Sequence, residues 1–140
     1  MKISPGCEVR LSPVVPGLVK KGRLMTVGDE GAKLLVELPL DGRPVWTEEI
    51  LYQIRLLGLA PVVAHPERYS WLDDGGKWVK KIKDLGVLVQ GNISSLAGKY
   101  GPRVKKRINA FLKDGLVDFW GSDAHSVKGY EILKGFVEQK

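Results

Sequence analysis

Apolar residues along this chain fall into short blocks, separated by stretches in which they recur every third or fourth position. The blocks, rich in Val, Leu and Ile, run from Leu34 to Leu38, Pro61 to Ala64, Val87 to Val89 and Leu116 to Trp120, with a weaker one from Glu8 to Leu11. Unbroken apolar runs of this length suit strands covered on both faces, as in parallel α/β architecture. The segments between them read as helices. From Thr47 to Leu57 the residues Ile50, Leu51, Ile54 and Leu57 share one helical face. Thr47 stands where an N-cap is needed, Glu48 and Glu49 complement the first turn, and Gly58 ends the helix. Trp78, Val79, Ile82 and Leu85 repeat the pattern ahead of Gly86, as do Val104, Ile108, Phe111 and Leu112 ahead of Gly115. Asp73-Asp74-Gly75-Gly76 reads as a turn leading into a helix, and Ser12 to Gly31, thin in periodicity, reads as a long connection. The pattern predicts an α/β fold in which parallel strands alternate with helices.

The polar residues that end these blocks carry more information than the blocks. Glu8, Glu37, His65, Asn92 and Asp123 follow one another at steps of 29, 28, 27 and 31 residues, close to the length of one βα unit. A chain that sets one acid, His or Asn at the C-terminal end of each successive parallel strand converges those side chains on one mouth, as a β/α barrel does.

Composition narrows the class. With 140 residues, 44% of them apolar, the chain is long enough for a hydrophobic core, and residues 1–140 are expected to form one domain. A net charge of +6 favours anionic partners without choosing among them. Arg103, Lys105, Lys106 and Arg107 could touch nucleic acid, but Val104 and Ile108 place them on a helix, so they read as its solvated face and no nucleic-acid partner is expected. Cys7 is the single cysteine, which rules out an internal disulfide and points to a reducing, cytoplasmic setting. No window holds the roughly 18 apolar residues of a membrane span, and the first residues do not form a signal peptide.

His65 and His125 are the only two histidines, and each follows an apolar run beside an acid, in Ala64-His65-Pro66-Glu67-Arg68-Tyr69 and Ser122-Asp123-Ala124-His125. Two imidazoles with the Asp123 carboxylate suit a borderline divalent metal that keeps positions open for water and substrate. Other hydrolytic chemistries fit less well. A cysteine phosphatase needs an arginine across a Cys-x5-Arg loop, and the corresponding position after Cys7 is Pro13. Neither a Gly-x-Ser-x-Gly elbow nor a P-loop occurs.

Five strings in order carry a resemblance: Leu34-Leu35-Val36-Glu37-Leu38-Pro39, Pro61 through Tyr69, Val89-Gln90-Gly91-Asn92, Ser94-Ser95-Leu96-Ala97-Gly98, and Gly121-Ser122-Asp123-Ala124-His125. They resemble the CpsB/CapC tyrosine phosphatases of the PHP superfamily. The resemblance implies a partial, distorted PHP-type (β/α) barrel with a metal cluster, manganese by expectation, at its C-terminal mouth. Carried over by position, Glu8, His65, Asp123 and His125 are the implied metal ligands, Arg68 the phosphate-binding residue, and Arg68, His65 and Asp123 the catalytic set. The implied partner is a phosphotyrosine protein, notably a bacterial tyrosine kinase controlling capsular or exopolysaccharide synthesis; an incomplete barrel also exposes a strand edge that invites a second copy or a complementing chain. The family opens with a His-x-His strand that nothing before Glu8 supplies, shows an arginine where this chain has Gly129-Tyr130, and continues beyond the position of Lys140. The expectation is therefore an N-terminally truncated chain. Its alternatives are a catalytically incomplete module that binds a phosphoprotein or partner, and a hydrolase of small phosphate esters.

Overall fold

The computed structural model describes residues 3–138. Five strands, β1 (Glu8–Arg10), β2 (Lys33–Glu37), β3 (Ala60–Ala64), β4 (Leu88–Asn92) and β5 (Phe119–Gly121), form one sheet in sequence order, every neighbouring pair parallel. Six helices connect or follow them: α1 (Val15–Lys20), α2 (Thr47–Leu56), α3 (Lys77–Asp84), α4 (Ile93–Ala97), α5 (Pro102–Lys113) and α6 (Val127–Glu138). Strands that neighbour each other in chain order, with every connection crossing the same face, are the winding of a β/α barrel rather than of a doubly wound sheet.

The faces of the sheet differ. Leu34, Val36, Val63 and Val89 point to the helical side and join Ile50, Leu51 and Ile54 of α2, Trp78, Val79 and Ile82 of α3, and Ile108 and Phe111 of α5 in one buried cluster. Gly91 sits on this side as well. A Cβ there would come within 3.0 Å of Ile108 and Trp120, so its absence lets α5 and β5 close onto β4. On the opposite face Lys33, Leu35 and Glu37 are only partly buried, so β2 alternates rather than being covered on both sides as its apolar run predicts. The strand registers set Leu35, Val62 and Leu88 side by side on that face.

Several local expectations are corrected. The connection from Ser12 to Gly31 holds α1 and a 3₁₀ turn at Val27–Asp29. Thr47 lies inside α2 behind Trp46, and its hydroxyl donates to the Pro44 carbonyl (2.7 Å) instead of capping the helix. The fourth and fifth strands begin later than their apolar runs, because Val87 and Leu116 are spent in the core before pairing starts. Glu8 opens β1 rather than ending it, paired with Leu35 one pleat below Glu37. The turn through Asp74 forms as read, its carboxylate accepting from the Gly76 and Trp78 amides (3.0 and 2.8 Å).

Candidate active site

The geometry of the mouth starts at the end of β3. Val62, Val63 and Ala64 are buried, and the chain then turns sharply at His65, whose backbone is left-handed (φ 33°, ψ 53°). A non-glycine residue there is strained, and such strain concentrates at functional sites. The turn is over-determined. The His65 amide donates to the Gln90 carbonyl (2.7 Å), and Pro66 supplies the first position of a 3₁₀ turn in which the Arg68 amide donates back to His65 (3.0 Å). Tyr69, wholly buried, accepts from the Leu38 amide (3.1 Å) and donates to the Ala64 carbonyl (2.8 Å), locking the ends of β2 and β3 together.

The His65 side chain is 2% exposed, and neither ring nitrogen has a hydrogen-bond partner among the described residues. Its Nε2 faces Glu37 Oε1 at 3.4 Å without hydrogen-bond alignment. One ligand atom each from Glu8, Glu37 and His65 lies within 4.8 Å of the others. Burial lowers the pKa of His65 and Arg68 lowers it further, against Asp123 and Glu37, so the ring is neutral, the form that binds metals. Burial raises the pKa of Glu8, and the Glu37 and Asp123 carboxylates push the same way. An orphaned buried imidazole beside two mutually repelling carboxylates is a donor set that fits a divalent transition metal.

A second constellation lies beside it. Asp123, also left-handed (φ 48°), accepts on Oδ2 from Arg68 Nη1 (2.8 Å) and from Asn92 Nδ2 (3.3 Å). The Arg68 guanidinium lies 4.3 Å from the centre of the Tyr100 ring, a cation–π contact. Asn92 also caps α4, accepting from the Ser94 amide (2.9 Å), while its own amide donates to Glu67 Oε1 (2.9 Å). Glu67 is wholly buried and accepts from the Ser95 hydroxyl (2.6 Å); burial raises its pKa against those hydrogen bonds. Arg107 donates to the carbonyls of Glu67 (2.7 Å) and Tyr69 (2.9 Å), the residues flanking Arg68. The Arg68 loop is thus held from the strand end, from α4 and from α5.

The ordered strings sit on the strand ends of a parallel barrel sheet, and the family comparison agrees: residues 1–131 match the model described as capsular polysaccharide synthesis, CpsB/CapC. The chain belongs to the CpsB/CapC family. Tyrosine-protein phosphatase YwqE of Bacillus subtilis is 31% identical over 128 residues, covering 91% of this chain and 50% of the relative. Tyrosine-protein phosphatase CpsB of Streptococcus agalactiae is 39% identical over 82 residues, or 55% of this chain and 34% of the relative. Among solved structures, one from the work on YwqE of B. subtilis and CpsB of Streptococcus pneumoniae, described as unique metal-dependent tyrosine phosphatases, superposes with a TM-score of 0.82 at 31% identity. It covers 90% of this chain and 51% of that one. The chain spans about half the length of the curated relatives it matches. No helix among the described residues is long and apolar enough to cross a membrane.

Against that family frame, Glu8 and His65 meet at the buried cluster, where Glu37 joins them. Asp123 pairs with Arg68, and His125, its side chain 88% exposed, stands beside Asp123 (Nε2 to Oδ1, 3.0 Å) and not among those three ligands. Glu37 lies on the strand-end register yet was not among the expected ligands, because nothing in the string Val36-Glu37-Leu38 distinguishes a ligand from a solvated strand end. Glu67 and Ser95 lie inside the quoted strings but carry no assigned role there, and Tyr100 lies outside them. Arg107 corrects the reading of the basic run as a solvated face, since its side chain is 11% exposed and bonds the loop.

Proposed function

We propose that this chain carries part of a metal-dependent phosphotyrosine-protein phosphatase active site, acting on a phosphoprotein of capsular or exopolysaccharide synthesis, a bacterial tyrosine kinase above all, in the cytoplasm. The observation that carries the reading is the orphaned His65 imidazole beside Glu8 and Glu37, with Arg68 one turn of chain away. Names borne by CpsB/CapC relatives point the same way.

In this reading Glu8, Glu37 and His65 would hold a divalent metal such as manganese, and Asp123 and His125 would be its further donors. A bound divalent metal supplies Lewis acidity, lowering the pKa of coordinated water and neutralising phosphate charge. The residues do the rest. Burial keeps His65 neutral, so its lone pair is available without first losing a proton. Arg68, paired with Asp123 and lying against the Tyr100 ring, presents its guanidinium fork to the phosphoryl oxygens as charge spreads over them. Asp123 thus orients Arg68, and Asn92 orients Asp123. Phenol, with a pKa near 10, leaves without strong acid assistance.

Hydrolysis of a phosphotyrosine peptide by the purified chain with Mn²⁺ is the test. Turnover abolished by chelation and by Asp123→Ala supports the assignment. A folded chain with no turnover that also binds no Mn²⁺ refutes it; no turnover with Mn²⁺ bound would make it the catalytically incomplete module.

A further inference from the structure

Behind the Arg68 loop, on the helical side of the sheet, lies a pocket of about 370 Å³ that the proposed chemistry leaves unused. Buried Leu72 and Phe111, with Ala110, make its base, and Arg103, Lys106 and Arg107 of α5 make one wall. α5 runs against the strands, so its first turns lie at the mouth end, and Arg107 bonds the backbone on either side of Arg68. The pocket therefore opens next to the site, separated from Arg68 by the thickness of one loop.

Asp73 shows what chemistry the pocket takes. Its side chain is 73% exposed, yet its carboxylate lies between two guanidinium groups, 2.8 Å from Arg103 Nη2 and 3.9 Å from Arg107 Nη2. Arg107 Nη2 is buried and has no hydrogen-bond partner among the described residues. A donor left unsatisfied in this way favours a better-placed acceptor, and an exposed surface carboxylate is displaced at low cost. Lys106 adds a third cation whose charge Asp73 does not answer. An apolar base sized for one large side chain under a cationic wall matches a peptide that alternates acidic and bulky apolar residues. A nucleic acid offers anions in regular array without that apolar anchor.

We propose that the groove between the loop from Leu72 to Gly76 and α5 is a docking site for an acidic segment of the phosphoprotein substrate. One apolar side chain of the segment seats on Leu72 and Phe111, and its carboxylates take the place of Asp73 between Arg103 and Arg107. The identity of the segment as substrate rests on the phosphatase reading. Binding at the groove does not.

The test is fluorescence anisotropy of the intact chain with a labelled peptide of alternating Glu and Leu that contains no phosphotyrosine, so that binding is read whether or not the chain turns phosphotyrosine over. Two variants, confirmed as folded by circular dichroism, accompany it: Arg103→Glu with Lys106→Glu, and Ala110→Trp, which fills the base and removes no charge. The expected result is salt-sensitive binding that weakens at least about tenfold in each variant and in a Gln-for-Glu peptide. Equal affinity of parent and variants overturns the proposal. So does a single-stranded oligonucleotide that binds more tightly than the peptide and is lost in the same charge variant, which would make this face a nucleic-acid contact. Binding that survives Ala110→Trp while failing on charge reversal also overturns it, since the pocket would then play no part.

Discussion

Arg68 illustrates how much a single residue depends on its neighbours here. Among the described residues its guanidinium pairs with Asp123 and lies against Tyr100, two contacts that hold the charge in place. A lysine at this position keeps the charge but neither stacks nor offers a fork. Arg68→Lys is therefore expected to lower kcat/KM for a phosphotyrosine peptide by about 100-fold, mostly through kcat, with an unchanged circular dichroism spectrum. A variant with near-normal kcat would show that Arg68 does not meet the reacting phosphoryl group. Left-handed backbone at both His65 and Asp123 fits the same view, since each strand end is bent to aim a side chain that an extended continuation would send elsewhere.

Elements are tied together by a small number of polar side chains at their ends. Tyr69 joins the ends of β2 and β3 through its hydroxyl, and its ring stacks on Trp71 (5.2 Å between centroids), whose indole N–H donates to the Pro39 carbonyl (2.9 Å). Tyr69→Phe removes the acceptor of a buried amide and is expected to cost about 2 kcal/mol in urea unfolding. A loss under about 0.5 kcal/mol would show that water takes over the amide. Glu48 plays the corresponding part between helices. From the first turn of α2 it accepts from Arg43 (2.9 Å), the Trp78 indole (3.2 Å) and Lys81 (3.3 Å). Burial alone would raise its pKa, but its backbone hydrogen bond, Arg43 and Lys81 outweigh burial and hold it below the ordinary value of 4.5. A depressed carboxylate binds fewer protons folded than unfolded, so its contribution is present above the unfolded pKa and is lost as pH falls through the folded one. The parent chain should be about 1 kcal/mol more stable than Glu48→Gln near neutral pH, with the gap closing as pH falls from the ordinary carboxylate value of 4.5 through the lower folded one, and shrinking in high salt. A gap constant with pH would place the loss in packing.

For the molecule as a whole, a metal that binds only the folded chain must raise its stability by mass action. Saturating Mn²⁺ is expected to raise Tm by several degrees, roughly 2.7 kcal/mol at one hundred times Kd, reversibly with chelator and not in Glu37→Gln. An equal shift in Glu37→Gln would move the ion away from the His65 cluster. The same cluster marks what could be read in advance. The order and type of the elements were legible because apolar blocks and 3.6-residue periodicity report burial directly, and the βα spacing already aligned Glu37, His65, Asn92 and Asp123. The ordered strings around them likewise sufficed to place the chain among CpsB/CapC proteins. What the sequence could not supply were relations between residues far apart in the chain: that Glu8 starts a strand and still reaches His65, that Glu37 completes the trio, and that Arg107 leaves the basic face of α5 to bond the Arg68 loop. Periodicity registers which face of an element is buried, a property of neighbours in sequence. Strand register, the left-handed turns at His65 and Asp123, and the partners of buried polar groups depend on how distant segments pack, and only the tertiary structure decides them.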